Sequence, residues 1–162
     1  MQAKTADKDG HLVGVISDTH GILRPEAIAV LEGVDLIIHA GDLGKVEILE
    51  GLQGIAPVVA VRGNVDRGVW ADTLPKAEVV RVGGVSLYVL HILEELDLDP
   101  VAAGFRAIIS GHSHQPALEE RNGVLYLNPG SAGPRRFKLP ASLALMRVRG
   151  KSVEAELIAL EV

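Results

Sequence analysis

The chain of 162 residues is 48% hydrophobic but only 3% aromatic. Its core must therefore be aliphatic, a composition that favours strands buried on both faces with helices laid over them. A net charge of -5 argues against long nucleic acid as a partner, because phosphate backbones are held by clustered Lys and Arg, and zero cysteines exclude disulfides and thiolate metal sites. The cysteine count also fits a reducing, cytoplasmic setting, and no apolar run is long enough to span a bilayer, so no membrane partner is expected. The polar opening MQAKTADKDG has no apolar signal core. It reads as part of a frayed N-terminal segment, 1–11, ahead of a single domain at 12–162.

In chain order, Leu12 to Ser17 reads as a strand, Pro25 to Glu32 as a helix with proline in its first turn, and Asp35 to His39 as a second strand. Val46 to Leu52 follows as a short helix and Pro57 to Arg62 as a third strand. This alternation predicts parallel strands joined by helical crossovers. The texture then changes. Glu78 to Val82 and Val85 to Leu90 flank Gly83-Gly84, a hairpin signal. Leu93 to Ala103 is expected to be helical and Ala107 to Ser110 a strand. A second hairpin turns at Asn122-Gly123, between Leu118 to Arg121 and Val124 to Leu127, and a third at Gly150-Lys151, between Ser142 to Arg149 and Ser152 to Leu160. The whole predicts an α/β chain with two stacked mixed sheets and helices outside.

The polar residues gather where these strands end. Asp18 and His20 follow the first strand in SDTHG, Asp42 the second in HAGD, and Asn64 the third in RGNVD. His91 closes VSLYVLH, and His112 and His114 close AIISGHSH. In open α/β sheets the crevice beyond the carboxyl ends of the strands is where ligands bind. Carboxylate and amide oxygens and imidazole nitrogens suit Mn, Fe, Co, Ni or Zn. Seven such ligands exceed the needs of one ion but fit two that share a carboxylate. The GHSH turn would let His112 and His114 diverge toward different ions, with Gly111 allowing close backbone approach. Any one of these residues alone would be read as a cap, a turn former or a hydrogen-bonded surface side chain; five coincidences at one sheet edge would not. His39, inside an apolar strand, reads as buried and hydrogen-bonded and His11 as solvated, so neither is counted as a ligand.

DTHG, HAGD, GN.D, the later His91, GHSH and NPGS, in that order and spacing, resemble the calcineurin-like metallophosphoesterase superfamily, and within it the small YfcE-like phosphodiesterases. The resemblance runs from about Leu12 to Val162. It implies a four-layer α/β/β/α sandwich and a phosphodiesterase that uses a metal-bridging hydroxide to attack phosphorus in a small phosphate ester. It also implies two divalent cations, with Mn²⁺ favoured over Ni²⁺, Fe²⁺, Co²⁺ or Zn²⁺, and a homo-oligomer. One ion would be held by Asp18, His20, Asp42 and His114 and the other by Asp42, Asn64, His91 and His112, with Asp42 bridging as the catalytic carboxylate.

Two positions depart from the family pattern. Val65 stands where many relatives carry a His that can protonate the leaving oxygen, and Ile92 follows His91 where a Gly is usual. The same fold also serves as a Vps29-like interaction scaffold, so a protein-binding module is the alternative expectation. The loop cations Arg24, Arg67, Arg135, Arg136 and Lys138 are the residues the sequence offers for contact with a second acidic group.

Overall fold

The computed structural model describes residues 10–136 and 138–162. Its first strand, β1 (Gly10–Ile16), begins two residues before the expected start, with Gly10 and His11 paired to Arg149 and Val148. The remainder of the expected N-terminal segment lies outside the described residues.

Sheet one has the order β10-β9-β1-β2-β3, with β2 at Leu36–His39, β3 at Val58–Ala60, β9 at Ser142–Arg149 and β10 at Ser152–Ala159. β1, β2 and β3 are parallel, as the helical crossovers α1 (Pro25–Leu31) and α2 (Val46–Gln53) require. The β9–β10 hairpin adds the antiparallel side. Sheet two has the order β4-β5-β6-β8-β7: β4 Ala77–Val82, β5 Val85–Leu90, β6 Phe105–Ile109, β7 Ala117–Arg121 and β8 Val124–Asn128. All three expected hairpins are present, and β5, β6 and β8 run parallel. The Asn122-Gly123 turn has both residues at positive φ, 52° and 80°, the geometry whose twist matches a two-residue hairpin.

Side-chain alternation assembles the layers. Val13, Val15 and Ile38 from sheet one meet Leu87, Val89, Ile109 and Leu127 from sheet two in the core between the sheets. Ile16 and Ile37, one residue out of phase, face outward onto Leu31, Ile48 and Leu52 of α1 and α2. A Cβ on Gly14 would run into the Leu31 side chain, so glycine is what lets α1 lie close on β1.

The outer cover of sheet two is thinner than expected. In place of one helix from Leu93 to Ala103 there is a 3₁₀ turn, Leu93–Glu95, and a short helix, α4 (Pro100–Ala103). Pro100 has no N–H and disfavours helical backbone at Asp99, which is extended and caps α4 by accepting from the N–H groups of Val101 and Ala102. A further short helix, α3 (Val69–Asp72), lies in the connection between the sheets and was not expected. None of the described helices is long and apolar enough to cross a membrane.

Candidate metal centre

The carboxyl ends of β1, β2 and β3 in one sheet and of β5, β6 and β8 in the other open at the same end of the sandwich, and their loops are tied to one another by backbone hydrogen bonds. The N–H groups of Asp18 and His20 donate to the carbonyls of Gly41 and Asp42, both at 3.0 Å. Gly111 N–H donates to His91 O at 2.9 Å and Ala132 N–H to Ser17 O at 3.0 Å. All seven residues predicted as ligands lie on these loops.

They form two groups. Ligand atoms of Asp18, His20 and His114 lie within 4.8 Å of one another, and so do those of Asp42, His91 and His112. Asn64 joins the second group through its Oδ1, 3.2 Å from His112 Nδ1. The two histidines of GHSH thus point into different groups, as the tight turn allowed. Asp42 Oδ2 lies between the groups, 3.1 Å from His91 Nε2 and 3.6 Å from His20 Nε2.

This convergence depends on unusual backbone. Asp18, His20, Asp42, His112 and His114 all have positive φ, between 47° and 72°. Asn122 of the hairpin turn is the one other non-glycine with positive φ among the described residues. Left-handed backbone at such residues costs about 1–3 kcal/mol each and persists only where the surroundings enforce it, so strain of this kind concentrates where side chains are aimed for function. Gly111 and Gly63 make room: a Cβ on Gly111 would overlap Ser17 Oγ and Asp18 Oδ2, and one on Gly63 would overlap Asp42.

The electrostatics call for cations. Ala40 O can only accept, so His91 Nδ1, 2.7 Å away, carries the ring proton, and the Nε2 lone pair faces the Asp42 carboxylate. Two acceptors in contact require a proton or a metal between them. Asp18 Oδ1, His20 Nε2, His91 Nε2 and His114 Nδ1 are all buried without a hydrogen-bond partner, a condition that native interiors avoid. The donor set therefore fits divalent metal ions. Without metal, two of the imidazoles gain proton affinity and two groups lose it. Asp18, followed by Asp42, raises His20 above the usual imidazole value. Burial works against the charged His91, but Asp42 and Asp18 outweigh it and raise that group too. Asp42 is lowered because His91, the Val65 N–H and His20 together outweigh its burial. His114 is lowered, mainly by burial.

Three supporting residues hold the ligand loops. His39 is fully buried; Gly41 N–H donates to its Nδ1 at 3.1 Å, so Nε2 bears the proton and donates to Thr19 Oγ1 at 3.0 Å. Thr19 in turn donates to Leu43 O at 2.9 Å. This chain fits the expected buried, hydrogen-bonded role, and burial pushes the His39 imidazole down to about 4. Asp66, whose role was not legible in the sequence, accepts from the N–H groups of Asp42, Leu43, Gly44 and Gly63 at 2.9–3.3 Å, which joins the loop after β2 to the loop after β3. Asn128, the Asn of NPGS, donates to Gly111 O at 2.9 Å and Ser113 Oγ at 3.1 Å, bracketing His112. The only sequence signals for these two were GN.D and NPGS as strings; the backbone groups they bind are brought near by the fold. Of the loop cations, Arg24 is committed to structure, its Nε and guanidinium donating to Gly133 O at 3.0 and 2.7 Å.

Residues 12–151 match the calcineurin-like phosphoesterase superfamily domain. The chain belongs to that superfamily. A probable metallophosphoesterase from Methanothermobacter thermautotrophicus is 39% identical to this calcineurin-like chain over 158 residues, covering 91% of each. Among solved structures, Vps29 from Cryptosporidium parvum superposes with a TM-score of 0.75 at 21% identity, covering 94% of this chain and 99% of that one. An archaeal phosphodiesterase also scores 0.75, at 22% identity over 91% of this chain and 99% of its own. The phosphoesterase YfcE from E. coli scores 0.67, at 22% identity over 93% and 100%. The calcineurin-like fold, with two mixed five-stranded sheets and outer helices, is thus the one these proteins share.

Proposed function

We propose that the protein is a dinuclear metal-dependent phosphodiesterase acting on small phosphate esters in the cytoplasm. The observation that carries this reading is the bare Nε2 of His91 facing Asp42 at 3.1 Å within one group of three candidate ligands, with the second group 3.6 Å away at His20. Asp18, His20, Asp42 and His114 would hold one ion and Asp42, Asn64, His91 and His112 the other, with Mn²⁺ the favoured metal. Divalent cations bound there would supply Lewis acidity, lowering the pKa of bound water toward neutrality and neutralising charge on the phosphoryl group.

The chain's own residues supply the rest. Asp42 offers Oδ2 to both groups while the Val65 N–H holds its Oδ1 at 3.0 Å, which fixes the carboxylate plane. Asp66 sets the separation of the loops that carry Asp42 and Asn64. The outer rim is open, since Asn64 and His112 are both exposed, which suits an ester flanked by groups on both sides. Val65 is 40% exposed at that rim and offers no proton to a departing oxygen. Diester preference is supported by the open rim and by the archaeal phosphodiesterase that shares the fold.

The likeness to Vps29 supports a second reading, an interaction scaffold with little or no turnover. A scaffold has no need of the full ligand set with its strained backbone, and that weighs for the enzyme. Turnover of bis(p-nitrophenyl) phosphate by chelator-treated protein, before and after Mn²⁺ is restored, separates the two. The enzyme reading expects no activity before and activity after; full activity of verified metal-free protein, or none with metal bound, overturns it.

A further inference from the structure

Beside the second ligand group lies a cavity of about 100 Å³, walled by Asn64 and His91 and also by two cations, Arg62 and Lys76. Neither cation was among those singled out from the sequence, where Arg62 reads as the end of a strand. The fold brings them together: Arg62 N–H donates to Pro75 O at 2.8 Å, which pins the segment carrying Lys76 against the end of β3. Among the described residues the Arg62 guanidinium touches one partner, Asp72, at 3.3 Å, and that carboxylate is 72% exposed. An exposed pair of this kind is worth little, and a guanidinium has five donors, so most of its fork is uncommitted. Lys76 makes no ion pair among the described residues. Among the described residues Glu95 is the one carboxylate on the cavity wall, so that lining keeps a net positive charge in a chain whose overall charge is -5.

We propose that Arg62 and Lys76 form a subsite for a second phosphoryl group of the substrate, next to the ester that is cleaved. The inference rests on the phosphoesterase reading for the identity of the cleaved bond, but not for anion binding itself. Size limits the occupant, because pockets that enclose drug-sized molecules run to about 300–1,000 Å³ and this one is far smaller. It accepts one compact anion while the remainder of the substrate stays outside. Chemistry favours phosphoryl over carboxylate: a planar fork beside a point-like ammonium can meet three oxygens in different directions. The substrate class is therefore a phosphodiester whose alcohol portion carries a further phosphate.

The test has two arms. In the first, chelator-treated wild type, Arg62→Met and Lys76→Met are titrated with inorganic phosphate and with acetate, followed by amide chemical shifts. Phosphate should bind at least about fivefold more weakly to each variant, with shifts in the wild type centred on Arg62 and Lys76, and acetate should bind more weakly than phosphate throughout. Equal phosphate affinity in all three proteins overturns the subsite, and Lys76 is exposed enough for its variant to fold normally. In the second, Mn²⁺-loaded proteins hydrolyse two p-nitrophenyl diesters that differ only in a terminal phosphate on the alcohol. The wild type should favour the phosphate-bearing ester, and the variants should lose about tenfold of that preference through KM. An unchanged preference overturns the proposal. If neither ester is hydrolysed, the phosphoesterase reading fails, and the first arm still decides whether the anion subsite exists.

Discussion

The two ligand groups differ in how they are enclosed. Asp18 and His114 of the inner group are buried and His20 is half-buried, with the loop between Asp18 and His20 held from behind by Thr19 and His39. The outer group joins buried Asp42 and His91 to exposed His112 and Asn64. The inner ligands come from the ends of β1 and β6, on loops locked by backbone hydrogen bonds, whereas two of the outer ones, Asp42 and Asn64, depend in addition on the Asp66 carboxylate to keep the loops after β2 and β3 together. A buried donor set with few alternatives binds metal tightly, and an open one exchanges it with water. The inner position should therefore fill first, and the outer position should govern activity at limiting metal.

The largest effect expected is at the point where the groups meet. Asp42→Ala should lower phosphodiester turnover by at least about 10³-fold, because only Asp42 faces both groups so closely. His20→Ala, which removes an inner ligand alone, should lose about 10²-fold at saturating Mn²⁺. Equal residual rates would erase the distinction between a shared carboxylate and a private imidazole.

Next in size is the framework behind the inner group. His39 lies at about 4 in the folded protein against 6.5 for a free imidazole, so the native state keeps it neutral while the unfolded chain takes up the proton first. Its contribution is complete above pH 6.5 and is lost as pH falls from 6.5 toward 4, a total on the order of 3 kcal/mol. Urea unfolding of chelator-treated protein across that range should show the loss, and His39→Asn should be less stable at pH 7 but flatter with pH. The same pH slope in both proteins would mean that the Thr19 and Gly41 hydrogen bonds do not hold the imidazole neutral.

Asp66→Asn should act mainly on the outer group, which takes both Asp42 and Asn64 from the loops that Asp66 joins. Loss of one carboxylate oxygen leaves backbone N–H groups without an acceptor, and Mn²⁺ affinity at the outer position should drop about 10–100-fold, with a smaller loss at the inner position, which shares Asp42, in a calorimetric titration. Equal loss at both positions would make Asp66 a general stabiliser instead. The smallest effect is at Val65. With no proton donor there, rates should depend steeply on leaving-group pKa, and Val65→His should raise alkyl-ester turnover by about tenfold, less than the roughly 10²–10⁴-fold of a well-placed acid, while leaving aryl esters almost unaffected. A flat leaving-group dependence in the wild type would show that another group already donates.

Much of this comparison was legible in the sequence. Apolar runs ending in DTHG, HAGD and GHSH marked both the strands and the edge on which the ligands meet, because strand ends and side-chain chemistry are local features. What was not legible depended on tertiary distance. Asp66 was visible only as the last letter of GN.D, since three of its four donors come from a loop 22 to 24 residues away. The break in the Leu93 to Ala103 helix was visible in Pro100 but outweighed by the apolar spacing around it. Arg24 looked free, yet its partner Gly133 lies 109 residues away. Arg62 and Lys76 acquired meaning only once the fold closed a cavity between them.

The most direct measurement is a Mn²⁺ titration of chelator-treated protein, followed by calorimetry and by electron paramagnetic resonance. Two ions about 3.5–4 Å apart should appear as two equivalents taken up in two steps, the tighter first, with a spin-coupled signal growing during the second and phosphodiesterase activity rising with it. Uptake of a single equivalent, or of two without spin coupling, would contradict a shared dinuclear centre at Asp42.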